Sequence, residues 1–247
     1  MRRVAALLVL ALALAGCGGA SEAGKGTAQL WVTRDRGAHV ILTAAVPAGL
    51  TPLQALEREA DVKARYGGRF VQAVNGISGS LSGRRDWFYF LNGIEPDVGA
   101  AEVTLRPGDV AWWDYRSWAG SDREQQIVVG AFPEPFVHGW AGKRRPVEVR
   151  APAGLRPEAN ALESLLRGAG GGGAGGAPNL FLLRVDPGGR GATLVAKRGP
   201  SNGSSVTFIL AGSVTALRAA VRALTADPAV VRLRYEARFD ERGRVVG

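Results

Sequence analysis

Two stretches decide the fold: Asp86-Trp87-Phe88-Tyr89-Phe90-Leu91-Asn92-Gly93, and Leu105-Arg106-Pro107-Gly108-Asp109-Val110-Ala111-Trp112-Trp113-Asp114-Tyr115-Arg116-Ser117-Trp118. Between Trp87 and Trp118 lie four of the six tryptophans and two of the four tyrosines, so the aromatic content is concentrated here. Aromatic side chains suit a pleated, half-buried surface, and each run borders a turn signal, Asn92-Gly93 after the first and Pro107-Gly108-Asp109 before the second. Both are predicted to be strands. Period two then places Trp87, Tyr89 and Leu91 on one face and Phe88 and Phe90 on the other. One face can rest on a helix, and the other needs a cover from the chain, a partner or a ligand.

Upstream, Gln29–Thr33 and His39–Thr43 alternate around Asp35-Arg36-Gly37 and read as a hairpin. A helix start follows. Thr51 is an N-cap, Pro52 takes the first helical position, and Gln54 completes a capping box. Leu53, Leu56, Ala60 and Ala64 form the apolar stripe, and Gly67-Gly68 is expected to stop the helix. Arg69–Val74 reads as a third strand. Phe88, Phe90 and Val110 are expected against this helix, while Trp87, Tyr89, Trp113 and Tyr115 face either residues 121–145 or a ligand.

Strand, strand, helix, strand, strand, strand is an α+β layout with one helix on one face of a small sheet. This order, with Trp87–Gly93, Gly99, Leu105–Asp109 and the closing Trp112–Trp118, resembles the transcobalamin-like C-terminal family, a β-grasp domain. In transcobalamin and intrinsic factor the corresponding domain closes over cobalamin; many bacterial relatives are exported modules of unestablished ligand. The resemblance covers residues 27–120, and the chain has no counterpart of the large helical domain of the animal carriers. The aromatic sheet face itself is read as a candidate ligand surface at Trp87, Tyr89, Asn92, Trp113, Tyr115 and Trp118, with a corrinoid as one candidate ligand and no cofactor.

The chain begins with an address. Arg2 and Arg3 precede an apolar run, Val4–Leu14, which is too short for a bilayer span of about 20 residues. Leu14-Ala15-Gly16-Cys17 resembles the lipobox of bacterial lipoproteins, which implies a lipidated Cys17. Cys17 is the only cysteine, so it has no disulfide partner to compete with that role. Acyl chains add about 0.8 kcal/mol per buried methylene. The expected localisation is export, with a lipid anchor on the outer face of the cytoplasmic membrane. Residues 1–17 are then signal, and residues 18–26 a flexible tether.

Residues 121–145 are expected to be a connector, because Pro133 and Pro135 exclude a central strand. Residues 146–247 form a second α+β sandwich in this reading, with a ferredoxin-like order as the arrangement considered. Its expected elements are a strand at Pro146–Arg150, a helix at Pro157–Arg167, a hairpin of Asn179–Val185 with Ala192–Lys197, a strand at Ser205–Leu210, a helix at Val214–Thr225, and a long final strand, Val230–Phe239. Polyglycine at 168–176 matches a nucleotide fingerprint only formally, because no strand precedes it. On the last strand Arg232, Arg234 and Arg238 share a face with Glu236, a pattern of solvated faces and occasionally of anion sites.

Chemistry is sparse. His39 and His138 are the only histidines and sit in no metal-ligand spacing, so no metal site is expected. No nucleophile elbow, Walker loop or Ser-x-x-Lys motif is present, so no catalytic residue is assigned and the chain is not expected to be an enzyme. The net charge of +9 comes mostly from arginine in an Ala- and Gly-rich chain, and export argues against a nucleic-acid partner. Two readings result. The preferred one is a non-catalytic binding lipoprotein for a small ring-bearing molecule, feeding a transporter; the alternative is a structural or adhesive envelope module that binds a protein or a cell-wall glycan.

Overall fold

The computed structural model describes residues 25–120 and 126–246. The signal, Cys17 and most of the tether lie outside them. Strands β1 (Thr27–Arg34) and β2 (His39–Pro47) form the expected antiparallel hairpin, turning through Asp35, Arg36 and Gly37 at φ 59°, 61° and 84°. Helix α1 (Pro52–Glu59) starts with the expected capping box: the Gln54 N–H donates to Thr51 Oγ1 (3.1 Å), and Thr51 N–H to Gln54 Oε1 (2.9 Å).

The helix ends earlier than expected. Ala60 is already extended, and β3 (Val62–Arg65) pairs antiparallel with β4 (Phe70–Val74). Gly67-Gly68 is therefore a hairpin turn and not a helix stop. Tyr66, Gly67 and Gly68 all have positive φ, and two glycines make that turn accessible. A short β5 (Ile77–Ser78) completes this three-stranded sheet.

The aromatic runs are β6 (Arg85–Leu91) and β7 (Val110–Ser117), at the expected places. With the first hairpin they make a sheet of order β2-β1-β7-β6, in which the central pair β1 and β7 is parallel and the outer pairs are antiparallel. That is the strand order of a β-grasp. It sets Trp31 beside Trp112, Phe90 opposite Trp112, and Tyr89 opposite Trp113.

The two faces are covered the other way round from the sequence expectation. Helix α1 and β4 pack Leu53, Leu56, Val71 and Val74 onto Trp87, Leu91 and Trp113. The opposite face, carrying Trp31, Phe90, Val110 and Trp112, is closed by Val128, Ala131 and Tyr235. Alternation alone makes the two faces equally apolar, so it left open which one the helix takes.

After β7 the chain continues through a 3-10 turn at Val129–Ala131 and a short helix α2 (Glu134–Val137). Next come β8 (Val147–Arg150), α3 (Arg156–Gly168), β9 (Asn179–Val185), β10 (Ala192–Arg198), β11 (Val206–Gly212), α4 (Val214–Ala226), β12 (Ala237–Phe239) and β13 (Val245–Val246). Both longer helices form where apolar periodicity placed them. Phe132, Phe136, Phe181 and Phe208 meet in one core with α3 and α4.

Three expectations for this half are corrected. The sheet order is β13-β12-β10-β11-β9-β8, so β11 separates the strands expected to pair as a hairpin. Val206, Phe208 and Leu210 on β11 are all buried, and such a strand gains most at a central position with a ladder on each edge. The order is not ferredoxin-like, because β8 and β9, joined through α3, are adjacent and parallel. The long last strand is absent: Asp227 caps a 3-10 turn over Pro228–Val231, Leu233 has φ 61°, and only Ala237–Phe239 pairs with β10.

Candidate functional site

The first sheet brings Trp87, Tyr89, Trp113 and Tyr115 onto one face, while Asn92 and Trp118 lie at opposite ends of the β6–β7 ladder, and each of the six is engaged within the chain. Trp87 is 6% exposed, and its indole N–H donates to the Ile77 carbonyl at 2.8 Å. The Tyr115 hydroxyl donates to the Ser78 carbonyl at 2.9 Å, and Tyr89 to the Val98 carbonyl at 2.7 Å. Burial holds the Tyr89 phenol above its ordinary range, with the Glu102 charge adding to the shift. Trp113 is 2% exposed and stacks on Tyr89, with ring centroids 5.1 Å apart. Segments around β5 and Val98 thus roof the rings that the sequence left open.

Asn92 is a turn former at φ 51°, and its amide is fully used. It donates to Asp109 Oδ1 (2.7 Å) and the Gly139 carbonyl (2.9 Å), and accepts from Val110 N–H (2.8 Å). Trp118 is half-buried, its backbone N–H bonded to the Arg84 carbonyl. These residues hold the fold, and none of them presents an open aromatic platform.

Aromatic strand β7 carries one acidic residue, Asp114. Asp114 is fully buried, and both carboxylate oxygens are occupied. Oδ1 accepts from Thr33 Oγ1 (2.6 Å) and Gly37 N–H (3.2 Å); Oδ2 accepts from Arg36 N–H (3.0 Å) and the Tyr235 hydroxyl (2.9 Å). Thr33 in turn accepts from the Trp112 indole at 2.8 Å. A buried carboxylate with four donors is the arrangement that offsets desolvation. Burial raises the Tyr235 phenol well above its ordinary range, and the Asp114 charge pushes the same way. Sequence reading missed Tyr235; the available signal was an ionisable group in the middle of an aromatic strand, which requires donors from elsewhere.

Around this contact runs the seam between the two main sheets. A crevice of about 510 Å³ is lined by Arg36, Arg232, Arg234, Tyr235 and Glu236. A second, of about 360 Å³, is lined by Gln29, Trp31, Glu134, Asp227 and again Arg232. The Arg232 guanidinium lies 4.4 Å over the Trp31 ring, and that of Arg36 4.5 Å over the Tyr235 ring. The expected arginine face therefore survives in altered form: Arg232 and Arg234 sit in a loop at this seam, while Arg238 is on β12 and pairs with Glu236 at 3.2 Å.

A smaller pocket of about 200 Å³ lies beside the polyglycine run, lined by Lys143, Arg144, Arg145 and Asn202. The run is a tied loop. Gly173 N–H bonds to the Arg145 carbonyl (2.9 Å), and the Arg145 guanidinium reaches the carbonyls of Ala177 (3.0 Å) and Gly203. Among the described residues no three His, Cys, Asp or Glu side chains converge as metal ligands, and no helix is long and apolar enough to cross a membrane.

Residues 49–117, from the start of α1 to the end of β7, match a family profile described as a domain of unknown function, DUF4430. No curated protein matches the chain. Among solved structures, a protein from Ruminococcus gnavus ATCC 29149, provisionally described as metal binding, aligns at 13% identity and TM-score 0.29 over 38% of this chain and 98% of its own. Haptocorrin in complex with Cbi aligns at 15% identity and TM-score 0.28 over 37% of this chain, which spans only 25% of the haptocorrin chain.

Proposed function

We propose that this protein is an exported, non-catalytic binding module, tethered through Cys17 to the outer face of the cytoplasmic membrane, that engages an envelope macromolecule and not a small ring-bearing solute. One observation carries this choice. A flat ligand needs an open aromatic platform, and the two indoles at the centre of the expected one are covered, with Trp87 at 6% and Trp113 at 2% exposure. The seam remains accessible, with Arg36, Arg232, Arg234 and Glu236 lining one crevice and Gln29, Glu134, Asp227 and Arg232 set among apolar residues in the other. Corrinoid capture for a transporter loses its surface in this arrangement, whereas an adhesive or structural role does not need one there.

Crosslinking of the membrane-anchored full chain in intact cells tests the proposal. A defined crosslinked species containing wall glycan or an envelope protein is expected, together with no saturable quenching of tryptophan emission by cobalamin. Saturable quenching with no macromolecular adduct would restore the small-molecule reading. Cys17→Ser is expected to move the protein from membrane to soluble fractions, and retention in the membrane would contradict the anchor.

A further inference from the structure

The β3–β4 hairpin carries an exposed pattern that neither core absorbs. Between Val62 and Val74 stand Lys63, Arg65 and Arg69, and no carboxylate. Arg69 pairs with Glu102 at 3.0 Å, whereas neither Lys63 nor Arg65 has a side-chain partner among the described residues. At the tip Tyr66 is 77% exposed, and Phe70, directly opposite Arg65 in the ladder, is 37% exposed. Tyr66 holds this place at φ 54°, in the left-handed region that a bulky side chain seldom occupies. Gly68 sets where the tip rests. At φ 86° a Cβ there would lie 2.5 Å from Leu53 Cδ2 and 3.1 Å from Ala101 Cβ, so glycine alone allows the turn to close on the start of α1.

The chain enters the fold at this same end. The Gly26 carbonyl accepts from Ala48 N–H (3.0 Å), Gly49 N–H donates to the Leu105 carbonyl (2.8 Å), Leu105 N–H to the Leu50 carbonyl (2.8 Å), and Leu53 N–H to the Ala100 carbonyl (3.1 Å). These bonds connect the entry at Gly26 to Leu53, and Leu53 touches the hairpin turn. Lys25 stands eight positions after Cys17, a reach of about 28 Å at full extension. A lipid on Cys17 therefore holds this end near the bilayer.

We infer that the β3–β4 hairpin tip docks on the anionic surface of the bilayer that holds Cys17, with the Tyr66 and Phe70 rings at headgroup level and Lys63 and Arg65 over the phosphates. This rests on the anchored-module reading and names the surface that meets the membrane. A second copy of the chain would set Lys63 and Arg65 against like charges, and a soluble acidic polymer offers no apolar layer to the two rings. Docked in this way, the domain turns its entry end to the lipid. Strand β1 then leads away from it and carries the Asp35–Gly37 turn up to about 23 Å further out.

The test reconstitutes the full-length lipidated chain, with Ala64→Cys or Val40→Cys labelled by a nitrobenzoxadiazole dye, into phosphatidylcholine vesicles with and without phosphatidylglycerol. Ala64 is exposed on the hairpin, and Val40 is 56% exposed at the far end of the β1–β2 pair. With phosphatidylglycerol present, the dye at 64 is expected to shift to the blue and brighten about twofold or more, while the dye at 40 stays unchanged. Tyr66→Ser, and separately Lys63→Gln with Arg65→Gln, should remove most of that rise at unchanged melting temperature. Arg190→Gln with Arg222→Gln, exposed residues in the second half that remove the same charge, should keep it. A rise that survives Tyr66→Ser, an equal rise at 40, or equal losses in the two charge pairs would overturn the docking. So would a rise reproduced by polyphosphate added to phosphatidylcholine vesicles, which would point to an acidic polymer. Flotation of the vesicles separates the two readings: a chain that floats while its dye at 64 reports water keeps the anchor and loses the hairpin, and a chain that does not float loses both.

Discussion

The Tyr235 hydroxyl donates to Asp114 Oδ2 at 2.9 Å across 121 residues of sequence, and through this bond the loop before β12 is fixed to the far face of the aromatic sheet. The Tyr235 ring also meets Trp112 and Phe90 edge-on, each at 5.5 Å between centroids. A polar bond and an aromatic cluster thus close the same junction.

Separating the two contributions is direct. Tyr235→Phe keeps the ring and removes one donor from a buried carboxylate, which is expected to cost about 1–3 kcal/mol in urea unfolding. Tyr235→Ala also empties the aromatic site and is expected to cost about 3–5 kcal/mol. Equal losses would mean that the hydroxyl alone holds the junction.

The Asn92 amide ties the β6 end to the Asp109 turn and to Gly139. Asn92→Ala leaves the buried Val110 N–H and Gly139 carbonyl without partners, and a loss of about 2–4 kcal/mol is expected. If Asn92 were instead a ligand contact spared by the fold, unfolding of this variant would match wild type.

Stability should depend on pH through Glu95. Burial raises its carboxyl to about 7, and nearby Arg116 and Arg198 only partly oppose that. The folded state therefore holds a proton that the unfolded chain releases near pH 4.5, so this contribution is complete below that pH and is lost as pH climbs toward 7. His138 acts in the same direction, because its hydrogen bond with Glu134 raises its pKa in the folded state. Unfolding free energy is expected to fall by up to about 3 kcal/mol between pH 4.5 and 8, and Glu95→Gln should flatten most of that slope. An unchanged slope in this variant would assign the effect elsewhere.

How far the sequence could be read varied with the range of the signal. Thr51, Pro52 and Gln54 located the start of α1 because a cap is settled within four residues. The hairpin of β1 with β2, and β6 and β7 as strands, were legible from alternation, aromatic content and turn residues. The end of α1 was not, since Gly67-Gly68 suits a hairpin turn as well as a helix stop, and only pairing of Val62–Arg65 with β4 decides between them.

The order of the second sheet was illegible for a related reason. Adjacency of β9 and β10 in sequence suggested a hairpin, whereas β11, with Val206, Phe208 and Leu210 buried, pairs on both its edges and lies between them. At the site, the aromatic residues were found but their surroundings were not: Val98, Ile77 and Ser78 cover them with backbone carbonyls, which no side-chain pattern announces. Arg232 and Arg234 were noticed on a supposed strand; Leu233 at positive φ turned that strand into the loop that carries them to the seam.

The sealed state of the aromatic sheet can be measured directly by acrylamide quenching of Trp118→Phe with Trp140→Phe, which removes the two half-buried indoles and leaves Trp31, Trp87, Trp112 and Trp113. With both faces closed, emission from these four rings should be blue-shifted and nearly insensitive to acrylamide until the protein is unfolded. Quenching close to that of a free indole in the folded variant would show an open face, and would return ligand recognition to Trp87 and Trp113.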